Sequence, residues 1–177
     1  MEIHKFEKWW LAAGLLMIVG FIVTIVYGAT GPGIAMMNDQ GGQIDSTTIA
    51  NGNYNATDNF ESPGVRRVGE NEYTAHVVAR QFLFEPGTNE PITVPADSTV
   101  TFYVTSPDVI HGLNLVGTNV NTMVIPGQVA QMTVEFDEPG EYGMVCHEYC
   151  GAAHHTMAGK VRVVPQSEFN ESTLEGT

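Results

Sequence analysis

Trp9 to Ala29 runs without a charged residue. Twenty-one residues of helix rise about 31 Å, enough to cross the hydrocarbon core of a bilayer. Trp9, Trp10 and Tyr27 stand at its two ends, where amphipathic rings favour the lipid–water interface. The run is longer than the core of a secretory leader, and Glu2 and Glu7 dilute its positive start. The pattern therefore favours a retained anchor over residues 1–30. A signal peptide cut near Gly28-Ala29-Thr30 is the rival reading. An all-round apolar face at a chain terminus argues against a buried helix of a soluble core.

Past the helix the pattern changes twice. Residues 31–71 are rich in Gly, Asn, Asp, Ser and Thr, with Gly31-Pro32-Gly33, Gly41-Gly42 and Asn51-Gly52-Asn53 as breakers, and read as a linker or loosely packed loop. From Glu72 onward, short runs of β-type residues alternate with turns. Tyr73–Ala79, Gln81–Phe84, Ile92–Val94, Thr99–Thr105, Val129–Phe136, Tyr142–Val145 and Lys160–Val164 are the expected strands. Period-two alternation is clearest at Thr99-Val100-Thr101-Phe102-Tyr103-Val104 and Gln131-Met132-Thr133-Val134-Glu135-Phe136. Pro86-Gly87, Pro95, Pro126-Gly127 and Pro139-Gly140 mark turns. The expectation is a mainly β domain over 72–165, an antiparallel sandwich or barrel with Greek-key links, followed by a frayed acidic tail over 166–177.

Charge narrows the setting. Lys5 and Lys8 precede the apolar run and the next basic residue is Arg66, so the positive-inside rule puts the N-terminus in the cytoplasm and the β domain outside. The 20 acidic and 7 basic residues give a formal net charge of −13, which makes nucleic acid an unfavourable partner. The acid is dispersed and lysine is scarce, as on the surface of a protein from a high-salt organism. A docking face for a basic partner and an ordinary acidic surface are the other readings.

The densest chemistry is Cys146-His147-Glu148-Tyr149-Cys150-Gly151-Ala152-Ala153-His154-His155-Thr156-Met157, which holds both cysteines of the chain. His111 lies upstream, in Ser106-Pro107-Asp108-Val109-Ile110-His111-Gly112. Two thiols, two imidazoles and a thioether are soft donors that suit copper over magnesium, calcium or manganese. A single blue copper needs one cysteine, two histidines and a weak methionine; here there is one thiolate more, enough to bridge two ions. Cys2His2 zinc is the first alternative, but it leaves Met157 idle. A disulfide closing so short a loop stabilises little and leaves the histidines unexplained. A buried cluster without metal is the last alternative.

Residues 72–164 resemble the copper domain of subunit II of haem–copper cytochrome c oxidases. A histidine, thirty-four residues, then Cys-x3-Cys-x3-His-x2-Met is the family pattern, met by His111, Cys146, Cys150, His154 and Met157. Ile125-Pro126-Gly127 and Pro139-Gly140-Glu141-Tyr142 match as well. One helix before the domain is similar to the shorter B-type oxidases of thermophilic bacteria and archaea. The resemblance implies a cupredoxin-like fold carrying the dinuclear copper centre CuA. Cys146 and Cys150 would bridge the ions, His111 and His154 would be terminal ligands, and Met157 and the main-chain oxygen of Glu148 weak ones. It implies a membrane electron-transfer subunit serving a haem-containing catalytic subunit and fed by a soluble donor, a cytochrome c or a blue copper protein. A nitric oxide reductase subunit and a membrane-anchored copper-delivery protein are the alternatives. Gln81-Phe82-Leu83-Phe84 falls where many relatives carry Gln-Trp-x-Trp, whose first tryptophan takes up electrons. Phe82 and Phe84 are thus candidate relays, with inward-facing core residues as the competing reading.

Overall fold

The computed structural model describes residues 4–30, 36–38, 41–50 and 59–174. Helix α1 spans Lys5–Thr30, and no part of its apolar stretch is buried against protein. Trp9, Leu15 and Phe21 stand exposed on different sides of it. An apolar surface all round is what a lipid-facing helix presents. At its start the Glu7 carboxylate accepts the His4 N–H at 3.0 Å, satisfying one donor that the first turn leaves over.

The rest is a two-sheet sandwich. One sheet holds β1 (Met36–Asn38), β9 (Ala130–Phe136), β6 (Ser98–Thr105), β3 (Glu72–Arg80) and β2 (Gly64–Gly69) in that order, with β4 (Leu83–Glu85) also on β3. The other is ordered β5 (Ile92–Pro95), β11 (Ala158–Val164), β10 (Gly140–Val145), β7 (His111–Leu115) and β8 (Asn121–Val124). Alternation supplies the inner faces: Val100, Phe102 and Val104 from β6, Met132, Val134 and Phe136 from β9, Val161 and Val163 from β11. Phe136 meets Phe102 edge-on at 6.4 Å and Tyr142 at 5.0 Å. Truncating such a ring to alanine costs about 3–5 kcal/mol.

The sequence pattern leads to a wholly antiparallel arrangement, and the structure corrects this. β3 pairs with β6, and β5 with β11, in parallel. Alternation reports which face a residue takes, not the direction of its neighbour. The parallel pair matters for the site, because β3 and β6 then end at the same edge of the sandwich. Ile125-Pro126-Gly127-Gln128 closes the passage into β9: Gln128 N–H donates to Ile125 O at 3.0 Å and Gly127 takes φ +82. A type II turn with proline second and glycine third requires that geometry.

Part of the stretch read as linker belongs to the sheet. β2 pairs with β3, and β1 with β9, because backbone pairing does not need the apolar side chains that marked the other strands. Residues 31–35, 39–40 and 51–58 of that stretch lie outside the described residues. The tail is pinned rather than frayed as far as Leu174. Phe169 packs edge-on to Tyr73 at 5.6 Å, Gln166 donates to Ala96 O at 2.9 Å, and Leu174 joins the core.

Candidate metal centre

Four elements bring the donors together at one end of the sandwich. His111 opens β7, Cys146 and Cys150 lie in the loop after β10, His154 opens a short 3-10 turn, and Met157 immediately precedes β11. The β10–β11 hairpin closes the loop: Val145 faces Ala158 in register, and Cys146 N–H donates to Met157 O at 3.2 Å. Pairing of β10 with β7, Val145 against Asn114, carries His111 alongside.

The two sulfurs are 3.9 Å apart. His111 Nδ1 lies 3.9 Å from Cys146 Sγ, and His154 Nδ1 lies 3.5 Å from Cys150 Sγ. Met157 Sδ is 3.7 Å from Cys150 Sγ, and the main-chain oxygen of Glu148 is 3.2 Å from Cys146 Sγ. His111, both cysteines and Met157 are buried, His154 is half-buried, and His147 and His155 are exposed. Only His111, Cys146 and Cys150 have donor atoms all within 4.8 Å of one another among the described residues. His111 thus stands within reach of both sulfurs and His154 beside Cys150, with a weak donor next to each sulfur. A single tetrahedral ion needs its four ligands around one point.

Two effects act on these donors in opposite senses. Burial, then the neighbouring Cys146, pushes the Cys150 thiol up to about 11. A metal ion must displace that proton, so binding and deprotonation are one event. The Asp108 carboxylate accepts from His111 Nε2 at 2.8 Å, from Gln81 N–H at 2.8 Å and from Val109 N–H at 2.6 Å. An ionised carboxylate only accepts, so Nε2 carries the proton and Nδ1 keeps its lone pair toward the sulfurs.

Asp108 and Gln81 are absent from the donor set read in the sequence. The aspartate three residues before His111 was the available signal; Gln81 matched the glutamine of the Gln-Trp-x-Trp run, but the reading there passed to the aromatic positions. Phe82 and Phe84 part company here. β4 starts only at Leu83, so Gln81 and Phe82 form the turn instead of the strand expected from the pattern. Phe84 is 1% exposed and packs in the core, the competing reading given to it from the sequence. Phe82 is half-buried, with its ring against Gly151. Tyr149, 75% exposed, packs edge-on to His154 at 5.9 Å and is a surface aromatic that the sequence reading passed over.

A β-sandwich with buried thiols, imidazoles and a thioether at one end, behind a helix long enough to span a bilayer, is a membrane-anchored protein of cupredoxin-like fold with a copper-type donor set. The chain matches the family "Cytochrome C oxidase subunit II, periplasmic domain" over residues 71–164. It is 38% identical over 162 residues to cytochrome c oxidase subunit 2 of Thermus thermophilus, covering 91% of this chain and 93% of that one. Heme-copper oxidase subunit 2 of Aeropyrum pernix is 40% identical over 87 residues, 48% of this chain and 37% of that one. In structure, a chain of a heme-copper terminal oxidase dimer solved by cryo-electron microscopy matches with TM-score 0.60 and 33% identity, covering 90% of this chain and 100% of that one. The periplasmic domain of subunit II of Bradyrhizobium japonicum cytochrome oxidase shares the fold, with TM-score 0.51 at 24% identity over 54% of this chain and 86% of that one. The chain belongs to the cytochrome c oxidase subunit II family.

Proposed function

We propose that Cys146 and Cys150 bridge the two ions of the family's CuA centre, with His111 and His154 as end ligands and Met157 and the Glu148 main-chain oxygen as weak ones. The observation that carries this is the pair of sulfurs 3.9 Å apart with an imidazole and a weak donor beside each, one thiolate more than a single blue copper needs. When bound, CuA takes up and releases one electron, sharing the charge between two coppers.

The residues contribute positioning and insulation. Asp108 sets the His111 tautomer and holds the ring. The buried thiols and Met157 keep water from the sulfurs, and the β10–β11 hairpin holds the loop's two ends on one rigid frame. Fixed ligands lower the reorganisation that electron transfer would otherwise require. The chain is thus the electron-transfer subunit of a haem–copper oxidase, and oxygen reduction belongs to the haem-bearing partner. The electron comes from a soluble cytochrome c or small blue copper protein. Residues 1–30 anchor the chain with the N-terminus in the cytoplasm, and residues 72–165 carry copper on the outer face.

Ligand variants test the assignment. Cys146→Ser or Cys150→Ser should abolish the dinuclear spectrum, because a hydroxyl is a poor donor to a soft metal. Met157→Leu should keep copper while shifting its potential, the thioether being the weakest ligand. A native spectrum in both serine variants would overturn the assignment.

A further inference from the structure

The turn between β3 and β4 touches both halves of the site. The Gln81 backbone N–H donates to Asp108 Oδ2 at 2.8 Å, and the other oxygen of that carboxylate holds His111. The Gln81 side-chain amide Nε2 donates to the main-chain oxygen of Cys150. One residue therefore reaches the His111 side through a carboxylate and the cysteine loop directly. Gly151 shows how closely the loop is pressed on this turn. It adopts φ +136, and a Cβ there would lie 2.8 Å from Gln81 Nε2 and 3.1 Å from the Phe82 ring.

The topology explains the reach. Parallel pairing sets Val78 of β3 beside Thr105, the last residue of β6. The segment leaving β6 toward His111 and the turn leaving β3 at Gln81 thus emerge side by side.

Resting on the ligand assignment above, we infer that Gln81 is a positioning residue for electron transfer: its amide fixes the Cys150 thiolate relative to the His111 imidazole. The two arms of the clamp differ chemically. The backbone arm survives exchange of the side chain, whereas the side-chain arm needs an N–H donor. Gln81→Ala removes that donor. Gln81→Glu sets a carboxylate, acceptor only, against the carbonyl of Cys150, so it should be the worse of the two.

The test uses the full-length chain in detergent, loaded with copper. It compares wild type, Gln81→Ala and Gln81→Glu by electron paramagnetic resonance, by copper release to a chelator and by thermal unfolding of the metal-free chain. Loss of one hydrogen bond predicts release roughly three- to tenfold faster for alanine and faster still for glutamate. Both should show altered copper hyperfine splitting, with the metal-free unfolding midpoint held near wild type. Unchanged release and hyperfine splitting in both variants, beside a normal wild type, would overturn the inference alone. So would faster release matched by an equal loss of metal-free stability, which would make Gln81 a fold residue. A wild type that binds no copper pair would strike down the ligand assignment and this inference together.

Discussion

Asp108→Asn is nearly isosteric, yet it should weaken the site. Burial by itself would raise the Asp108 pKa. Hydrogen bonds from His111, Gln81, Val109 and Ser106 outweigh it and hold the carboxyl at about 2, against an ordinary 3.8. That shift is equivalent to at most about 2.5 kcal/mol. The side chain is 31% exposed, and screening by solvent reduces the figure to about 1 kcal/mol. The folded pKa lies below the unfolded one, so this stability is fully present above about pH 4 and is lost as pH falls through about 2. An asparagine has one acceptor oxygen where Asp108 offers two, while His111 Nε2 and Gln81 N–H both donate. One of them must face the new amide N–H. His111 is 0% exposed, so an unpaired donor there costs about 1–3 kcal/mol. Loss of the partner that orients a metal-binding imidazole typically lowers metal affinity about 10–100-fold. The assay is competition for copper with a chelator, together with chemical unfolding, on the full chain in detergent. Asp108→Asn and Asp108→Ala should both lose affinity by about that factor. Affinity within twofold of wild type in both would refute the role given to this carboxylate.

The remaining predictions address stability and setting. His76, 5% exposed, stacks on Tyr103 at 5.0 Å, and burial followed by the Arg66 charge lowers its pKa to about 4 from 6.5. It is neutral when folded and protonated when unfolded between those values, so stability present above about pH 6.5 should fall by up to about 3 kcal/mol as pH drops to about 4. His76→Phe should flatten that decline in denaturant titrations, and an unaltered slope would reject the assignment. Glu70, Glu72, Asp97, Glu135 and Asp137 crowd one cavity of about 340 Å³ at the end of the first sheet. Their repulsion predicts an unfolding midpoint that climbs by roughly 5 °C or more from low salt to molar potassium chloride, and a flat response would reject the high-salt reading. Protease added to intact, wall-free cells should remove the β domain, whereas digestion only after lysis would reverse the orientation.

Legibility of the sequence followed the range of the signals. α1 is a single local run, β6, β9 and β11 show alternation that survives as buried inner faces, and β3 shows a β-branched apolar run that is buried on both faces. β7 and β8 escaped because His-Gly-Leu-Asn-Leu and Asn-Thr-Met-Val lack that alternation, and β2 because Gly-Val-Arg-Arg-Val-Gly resembles a linker. Cys146, Cys150, His154 and Met157 were legible since one loop holds them, His111 since it completes the family spacing, and the Glu148 main-chain oxygen only through the family resemblance. Gln81 was not, because its part arises from the parallel pairing of β3 with β6, which no local pattern encodes. The fates of Phe82 and Phe84 depended likewise on where the turn ends and β4 begins.

The central claim is a pair of coppers held by one cluster of ligands, and the measurement that tests it most directly is copper quantification together with electron paramagnetic resonance on the oxidised full-length protein. The account predicts two coppers per chain and one unpaired electron whose signal is split by two equivalent copper nuclei. One copper per chain with splitting from a single nucleus, or a colourless stoichiometric zinc protein, would contradict it.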